Sequence, residues 1–310
     1  MNSSIGQARV DDASARLMGI GFMCAAWFTF SGIDASGKFL TGFFPVFQIV
    51  LLRYGGGLVY SLLLIALKGI PNAFRTTRPV IQFCRGAILV VATALNFVAL
   101  RYLQLDQSAA IMFAVPLIVC VLSVPMLGEH VGWRRWAAVV VGFIGVLIII
   151  RPGFDSFHWA MLLVVVQATM AAIYMILTRK VSAHDRVETS LFYTGLVGTV
   201  LALPFGVAQW QPLTEATLLP ALVIGFCGGL GHHLVIIAHR LAPAPVIAPF
   251  GYTHIIWMTL LGYLLFNELP DAFTIVGASI VVSCGLFLLY REHRLKAATA
   301  ADLHSSVPKV

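Results

Sequence analysis

Ten apolar runs of about twenty residues, set apart by short polar stretches, account for nearly the whole chain. They lie at 17–37, 46–67, 79–100, 107–127, 135–150, 157–178, 189–210, 217–238, 244–266 and 272–290. A bilayer core asks for about 20 predominantly apolar residues per helical span, so each run predicts one membrane-crossing helix. The connecting stretches are too short to fold as domains outside the membrane. Residues 1–16 and 291–310 read as polar tails, the ends of which carry the small and polar character of irregular chain.

Polar positions inside the runs are few and patterned. In span one, Trp27, Phe30, Ser31, Asp34 and Lys38 recur at three- and four-residue spacing and so share one helix face, a face that turns inward from lipid. Span two holds Arg53, seven residues from its start and hence about 10 Å deep at 1.5 Å per residue. Spans one and two run in opposite directions, which brings Asp34, Lys38 and Arg53 to similar depth and predicts an ion pair of Asp34 with Arg53 or Lys38. Span three contains Asn96, span six Gln167 and Tyr174, and span seven Tyr193. Span four carries Pro116 and Pro125, which break helices, and span nine opens on Pro243, Pro245 and Pro249 before Tyr252, His254 and Trp257. Span eight is glycine-rich at Gly225, Gly228, Gly229 and Gly231 and leads into His232 and His233. Spans five and ten hold little but glycine between apolar residues, as scaffold helices do.

A shift of 139 lays Ala99 on Ala238, Arg101 on Arg240, Ala109 on Ala248, Leu122 on Leu261 and Glu129 on Glu268. The chain is an internal duplication, 17–151 and 157–290. Five spans per half is an odd number, so the second copy enters the membrane upside down. The predicted class is all-α and integral to the membrane: ten transmembrane helices in two inverted five-helix repeats, the architecture of transporters that alternate access around a midplane site.

Composition agrees: 59% of residues are hydrophobic, 11% are charged, and the mean hydropathy is +0.92. The net charge of +7 is a topology signal with no nucleic-acid reading required. Sixteen of the 20 Lys and Arg residues fall on the side shared by the termini, against Lys38, Arg101 and Arg151 on the other and Arg53 within a span. Cationic loops stay cytoplasmic, which predicts both termini inside an inner membrane. The first run exceeds a signal-peptide core and reads as a retained span. The five cysteines all lie within spans without pairing or ligand spacing.

Residues 32–38, G-I-D-A-S-G-K, fall one residue short of a nucleotide-binding P-loop, since Phe39 stands where a hydroxyl would hold magnesium, and the stretch lies in an apolar helix. His232 with Cys227 or His239 makes a poor metal site with no carboxylate nearby; adjacent His232 and His233 point in different directions. No metal and no cofactor is expected. Asp34, Lys38 and Arg53 form either a structural ion network or a group that meets a polar substrate. His232 and His254 are either packing histidines or proton-linked cavity residues. The aromatic residues, Trp27, Phe30, Tyr54, Tyr174, Tyr193, Tyr252 and Trp257, either pack or offer a stacking surface for a planar ring.

The segments 101–129 and 240–268, the stretch WAAVVVGFIGVLIIIRP at 136–152 and APFGYTHIIWMTLLGYLLFNELPD at 248–271 resemble the drug/metabolite transporter superfamily of the EamA type. The resemblance spans almost the whole chain and is nearest to S-adenosylmethionine-type and riboflavin-type carriers, through Asp34 and Lys38, Arg53, Arg85-Gly86 and Ala248-Pro249. It departs where His254 and Ile255 replace Val115 and Pro116 of the first copy. It implies a pathway walled by spans one, three, four, six, eight and nine, with five and ten as scaffold. The candidate pathway residues are Trp27, Phe30, Asp34, Lys38, Arg53, Asn96, Gln167, Tyr174, His232, Tyr252, His254 and Trp257. The expected function is secondary transport of a small organic metabolite, leaning to uptake of a vitamin- or nucleoside-like compound. Export of amino acids or toxic metabolites is the alternative, and a membrane enzyme fits less well because the carboxylates are dispersed. The expected partners are that small molecule and the lipid bilayer, with a homodimer left open.

Overall fold

The computed structural model describes residues 2–128, 132–154, 157–182, 184–242 and 244–305, and no strand occurs among them. Twelve helices make the described structure: α1 (Asn2–Leu40), α2 (Val46–Lys68), α3 (Pro79–Leu100), α4 (Leu105–Met112), α5 (Val115–Leu127), α6 (Trp133–Ile150), α7 (Ala160–Ser182), α8 (Val187–Ala208), α9 (Glu215–Leu241), α10 (Ala244–Ile247), α11 (Thr253–Phe266) and α12 (Ala272–Ser305). Nine segments of the described chain are long and apolar enough to cross a membrane unaided. The remaining run, span nine, crosses in pieces, as α10, a 3-10 turn over Ala248–Tyr252, and α11. Both tails expected to be irregular instead extend helices, α1 back to Asn2 and α12 on to Ser305. Glu129 and Pro243, singled out in the sequence, lie outside the described residues.

The proline readings are half right. Pro116 occupies the first turn of α5, where its ring forbids a helical carbonyl at residue 112, and the helix duly breaks at Phe113 and Ala114. Pro125 sits inside α5 without ending it. Helix α5 closes instead at Gly128, whose φ of 70° allows a left-handed cap. The duplicate position in span nine is Asn267, left-handed as well at φ 56°.

Helix pairings reproduce the inverted duplication. Span one packs on span eight, two on seven, three on six, four on nine and five on ten. Exchanging the halves sends one to six, two to seven and three to eight, and it maps this set of pairs onto itself. The secondary contacts obey the same exchange, span two on eight matching seven on three, and span one on nine matching six on four. The rotation axis therefore passes between the two broken spans, and there Phe113 meets Tyr252, its own counterpart in the 139-residue shift, edge to face with centroids 5.1 Å apart.

Lys38, Leu103, Arg151, Glu268 and Asp271 gather at one end of the bundle; Thr76, Gln82 and Asp185 gather at the other, where the termini emerge. Outward faces carry Leu62, Leu63, Phe83, Val141, Ile144 and Leu264, the apolar surface that lipid covers.

The scaffold pair shows how closely backbones must approach. A Cβ on Gly145 would stand 2.9 Å from the Gly277 carbonyl oxygen and 2.9 Å from Val281 Cγ2. Gly145→Val should therefore force α6 from α12 and lower stability by about 1–3 kcal/mol. An unchanged melting temperature in detergent would contradict this packing.

Candidate functional site

Asp34 sits on α1 six residues before its end, about 9 Å into the bundle. Its side chain keeps 19% exposure there, so it faces an interior space. Asn96 of α3 donates to its Oδ1 at 2.8 Å, and its Oδ2 lies 3.7 Å from His254 Nε2 of α11. That second distance is too long for a hydrogen bond. Neither expected ion pair forms. Lys38, one turn further along, reaches away from Asp34 toward the end of the bundle, where its Nζ donates to Glu268 at 2.6 and 2.5 Å and to the Leu103 carbonyl at 2.9 Å. Arg53 acts on Asp34 through space but donates instead to Thr93 at 3.0 Å, over the Tyr54 ring.

From Asp34 a continuous aromatic wall runs toward the terminal end. His254 packs 5.0 Å from Trp27, Trp27 5.5 Å from Phe30, and Phe30 5.2 Å from His232. The 3-10 turn makes room for the indole: a Cβ on Gly251 would lie 3.4 Å from Trp27 Nε1. Along this wall Trp27 Nε1 and His254 Nε2 are buried without a hydrogen-bond partner, as is Trp257 Nε1; Tyr252 Oη and Gln167 Oε1 are unpartnered too, but Tyr252 Oη faces Gly285 of α12 and Gln167 lies on α7. Each such atom costs about 1–3 kcal/mol while unmatched, and a bound molecule with its own donors and acceptors would relieve that cost. Trp257 packs on Phe28, an exposed residue of α1, and so stands at the edge of the group. His233 turns away from His232, as adjacent helical residues do, toward Tyr60 and Lys68.

Near the terminal end Arg85 is buried and caged by neutral acceptors. It donates to Gln82, Ser190 O and Thr194 at 2.9, 2.5 and 2.7 Å, and to Tyr174 and Thr178 at 3.2 and 3.4 Å. Gln82 in turn donates to Asp185 at 2.8 Å, and Thr76 and Thr77 close the same carboxylate. Burial pushes the Asp185 carboxyl up, but these hydrogen bonds outweigh it and hold the group below the usual carboxylate range. At the Lys38 end Asp271 is likewise held low, burial opposed by the Thr274 backbone N–H and by Arg151.

The predicted residues thus separate into layers: Lys38 at one end, then Asp34, Asn96, His254 and Arg53, then Trp27, Phe30 and His232, and Tyr174 with Arg85 near the other end. Sequence reasoning passed over Thr93, Gln82 and Thr194 and left Glu268 without its partner. Arg85, counted with the charges of the terminal side, lies near that end and inside α3, within the span predicted at 79–100. Among the described residues no group of three or more His, Cys, Asp or Glu is gathered around a common point.

A profile of the EamA-like transporter family matches residues 17–151 and again 158–291, once per repeat. The chain belongs to this family. It is 27% identical over 277 residues to an S-adenosylmethionine uptake transporter of Rickettsia bellii, covering 89% of this chain and 95% of that one. It is 29% identical over 280 residues to a riboflavin transporter of Vibrio cholerae, covering 89% and 94%, and 28% identical over 265 residues to the pseudopaline exporter CntI of Pseudomonas aeruginosa, covering 84% and 92%. A solved crystal structure at 18% identity overlays with a TM-score of 0.63 across 91% of this chain and 99% of the other, a likeness of fold. The protein is a multi-pass membrane transporter of the EamA type.

Proposed function

We propose that this EamA-type protein takes up a small organic cation bearing a planar ring, of the S-adenosylmethionine class, across a bacterial inner membrane with both termini cytoplasmic. The observation that carries the reading is the aromatic wall His232–Phe30–Trp27–His254 ending on the Asp34 carboxylate. A sulfonium or ammonium centre is attracted to a carboxylate and to ring faces, and a purine stacks on the same surface. The relatives named for S-adenosylmethionine uptake support the substrate class and the direction, and the Lys and Arg distribution supports the orientation.

The test is influx into proteoliposomes of labelled S-adenosylmethionine, riboflavin and an amino-acid panel, with and without an imposed pH gradient. Saturable entry of S-adenosylmethionine is expected. Saturable riboflavin entry alone would overturn the cationic reading while keeping uptake. Movement only when substrate is loaded on the cytoplasmic side would reverse the direction. A response to the gradient would identify proton coupling.

A further inference from the structure

Of the two arginines described within the spans, Arg53 makes far less use of its guanidinium than Arg85 does. Among the described residues the only hydrogen bond of Arg53 is the 3.0 Å contact to Thr93 Oγ1, with the Tyr54 ring 5.6 Å away. Arg85, by contrast, spends both terminal nitrogens on five neutral partners, with only its Nε left without one. Arg53 also lines a cleft between α2, α3, α8 and α9 together with Tyr54, Tyr60, Thr194 and His232. Glycines line part of that cleft: Gly195 and Gly229 let α8 and α9 pack closely on Leu58 and Tyr60 of α2, and Gly228 lies against the Arg53 backbone. His232 has no hydrogen-bond partner among the described residues and closes the aromatic wall on the same side.

Charge balance sharpens the point. Two arginines, Arg53 and Arg85, lie within the spans; Arg85 has Asp185 beyond Gln82 at its own end, and the described carboxylate that faces Arg53 is Asp34, which hydrogen-bonds to neutral Asn96 and not to Arg53. Asp106, the other buried carboxylate, is at the Lys38 end beside Glu268 and Asp271. Arg53 and Asp34 therefore stand as opposite charges that act on each other without a direct ion pair, and charges held apart in a low-dielectric bundle are stabilised by a ligand that brings a counter-charge to each. A guanidinium with free N–H groups is the side chain best shaped to hold a carboxylate in two parallel hydrogen bonds.

We infer that Arg53 is an anion subsite that receives the carboxylate of the transported molecule while Asp34 receives its positive centre. The inference rests on the substrate class proposed above and adds to it: the charged amino-acid end of the cargo is held across α1 and α2, its carboxylate on Arg53 and its positive centre on Asp34, while the purine lies along the aromatic wall.

The experiment compares binding to the purified full chain of three probes, S-adenosylmethionine, its decarboxylated analogue and S-adenosylhomocysteine, by ligand-induced thermal shift across a concentration series. The decarboxylated analogue should bind about 10- to 100-fold more weakly than S-adenosylmethionine, the loss of a charge-assisted pair. Arg53→Gln should bring S-adenosylmethionine down to the level of the analogue and leave the analogue unchanged, and Arg53→Lys should keep part of the preference. Equal binding of the first two probes to the unaltered protein overturns the anion subsite and leaves the substrate class standing. No binding of any probe overturns both. Should Arg53→Gln fail to fold, the unaltered protein and Arg53→Lys still decide, because neither removes the charge. An Arg53→Lys protein without any carboxylate preference, where the unaltered protein has one, shows that the planar fork itself is required.

Discussion

Asp34→Asn should lower saturable transport by about 10- to 100-fold, the equivalent of the ~1.5–3 kcal/mol carried by a hydrogen bond to a charged group, with little change in folding. The asymmetry follows from the two carboxylate oxygens. Oδ1 accepts from Asn96, and an amide oxygen in the same place can accept that bond equally well. Oδ2 has no hydrogen bond within reach and lies 3.7 Å from His254, so the substitution removes a charge that the folded protein itself does not saturate. A positive substrate centre would lose its counter-ion, and affinity should fall before turnover does. The check is a pair of measurements on one preparation, KM and maximal rate in proteoliposomes and the melting temperature in detergent. Transport kinetics like those of the unaltered protein would take Asp34 out of the mechanism. A protein that no longer folds would make Asp34 part of the scaffold instead.

Much of the architecture was legible because a bilayer imposes a length on every apolar run and because the duplication repeats that length ten times. The inward face of α1 was legible for the same reason: Trp27, Phe30, Ser31, Asp34 and Lys38 can share a side only if the helix is regular, and lipid leaves polar groups no other place to go. Partner choice was not legible. Asp34 and Lys38 are one helical turn apart and of opposite charge, which favours a local pair, yet Lys38 has a long side chain and finds Glu268, 230 positions away, at the end of the bundle. Only the inverted packing of span nine against span one brings that residue within reach. The break in span four was misplaced in part because proline acts on the turn before it, which puts the discontinuity at Phe113 and not at Pro125. The side of the membrane on which Arg85 lies was legible from its place near the start of span three, but its cage of neutral acceptors was not, because Ser190 and Thr194 come from a helix more than a hundred positions away. The packing of Phe113 on Tyr252 needed both copies in space, although the 139-residue shift already names them as equivalents.

Glu268→Ala and Lys38→Ala should each open the Lys38 end of the bundle, and the double substitution should cost less than the sum of the two. The Lys38 ammonium spends its donors on both Glu268 oxygens and on the Leu103 carbonyl, and it sits 4.9 Å from the Phe266 ring centroid. One side chain thereby ties the end of span one to the end of span nine and to the turn between spans three and four. These are walls of the pathway that the family resemblance implies, drawn from both repeats. The side chains are only 11% and 23% exposed, so a lone charge left after single substitution is poorly hydrated when this end is closed and well hydrated when it is open. Closure should lose about 1–3 kcal/mol in either single variant, which is less than the full cost of an orphaned buried ion because both groups retain some water. A shift of ~1.4 kcal/mol changes the closed-to-open ratio tenfold. In the double variant no orphan remains, so the two effects should couple by about 0.5–3 kcal/mol. The readout is the maleimide labelling rate of Phe30→Cys, in a background without the native cysteines, from the Lys38 side of the membrane. Faster labelling in both single variants, partly reversed in the double, is the expected pattern. Labelling rates unchanged by either substitution would mean that Lys38 and Glu268 hold the fold together without controlling access to the aromatic wall.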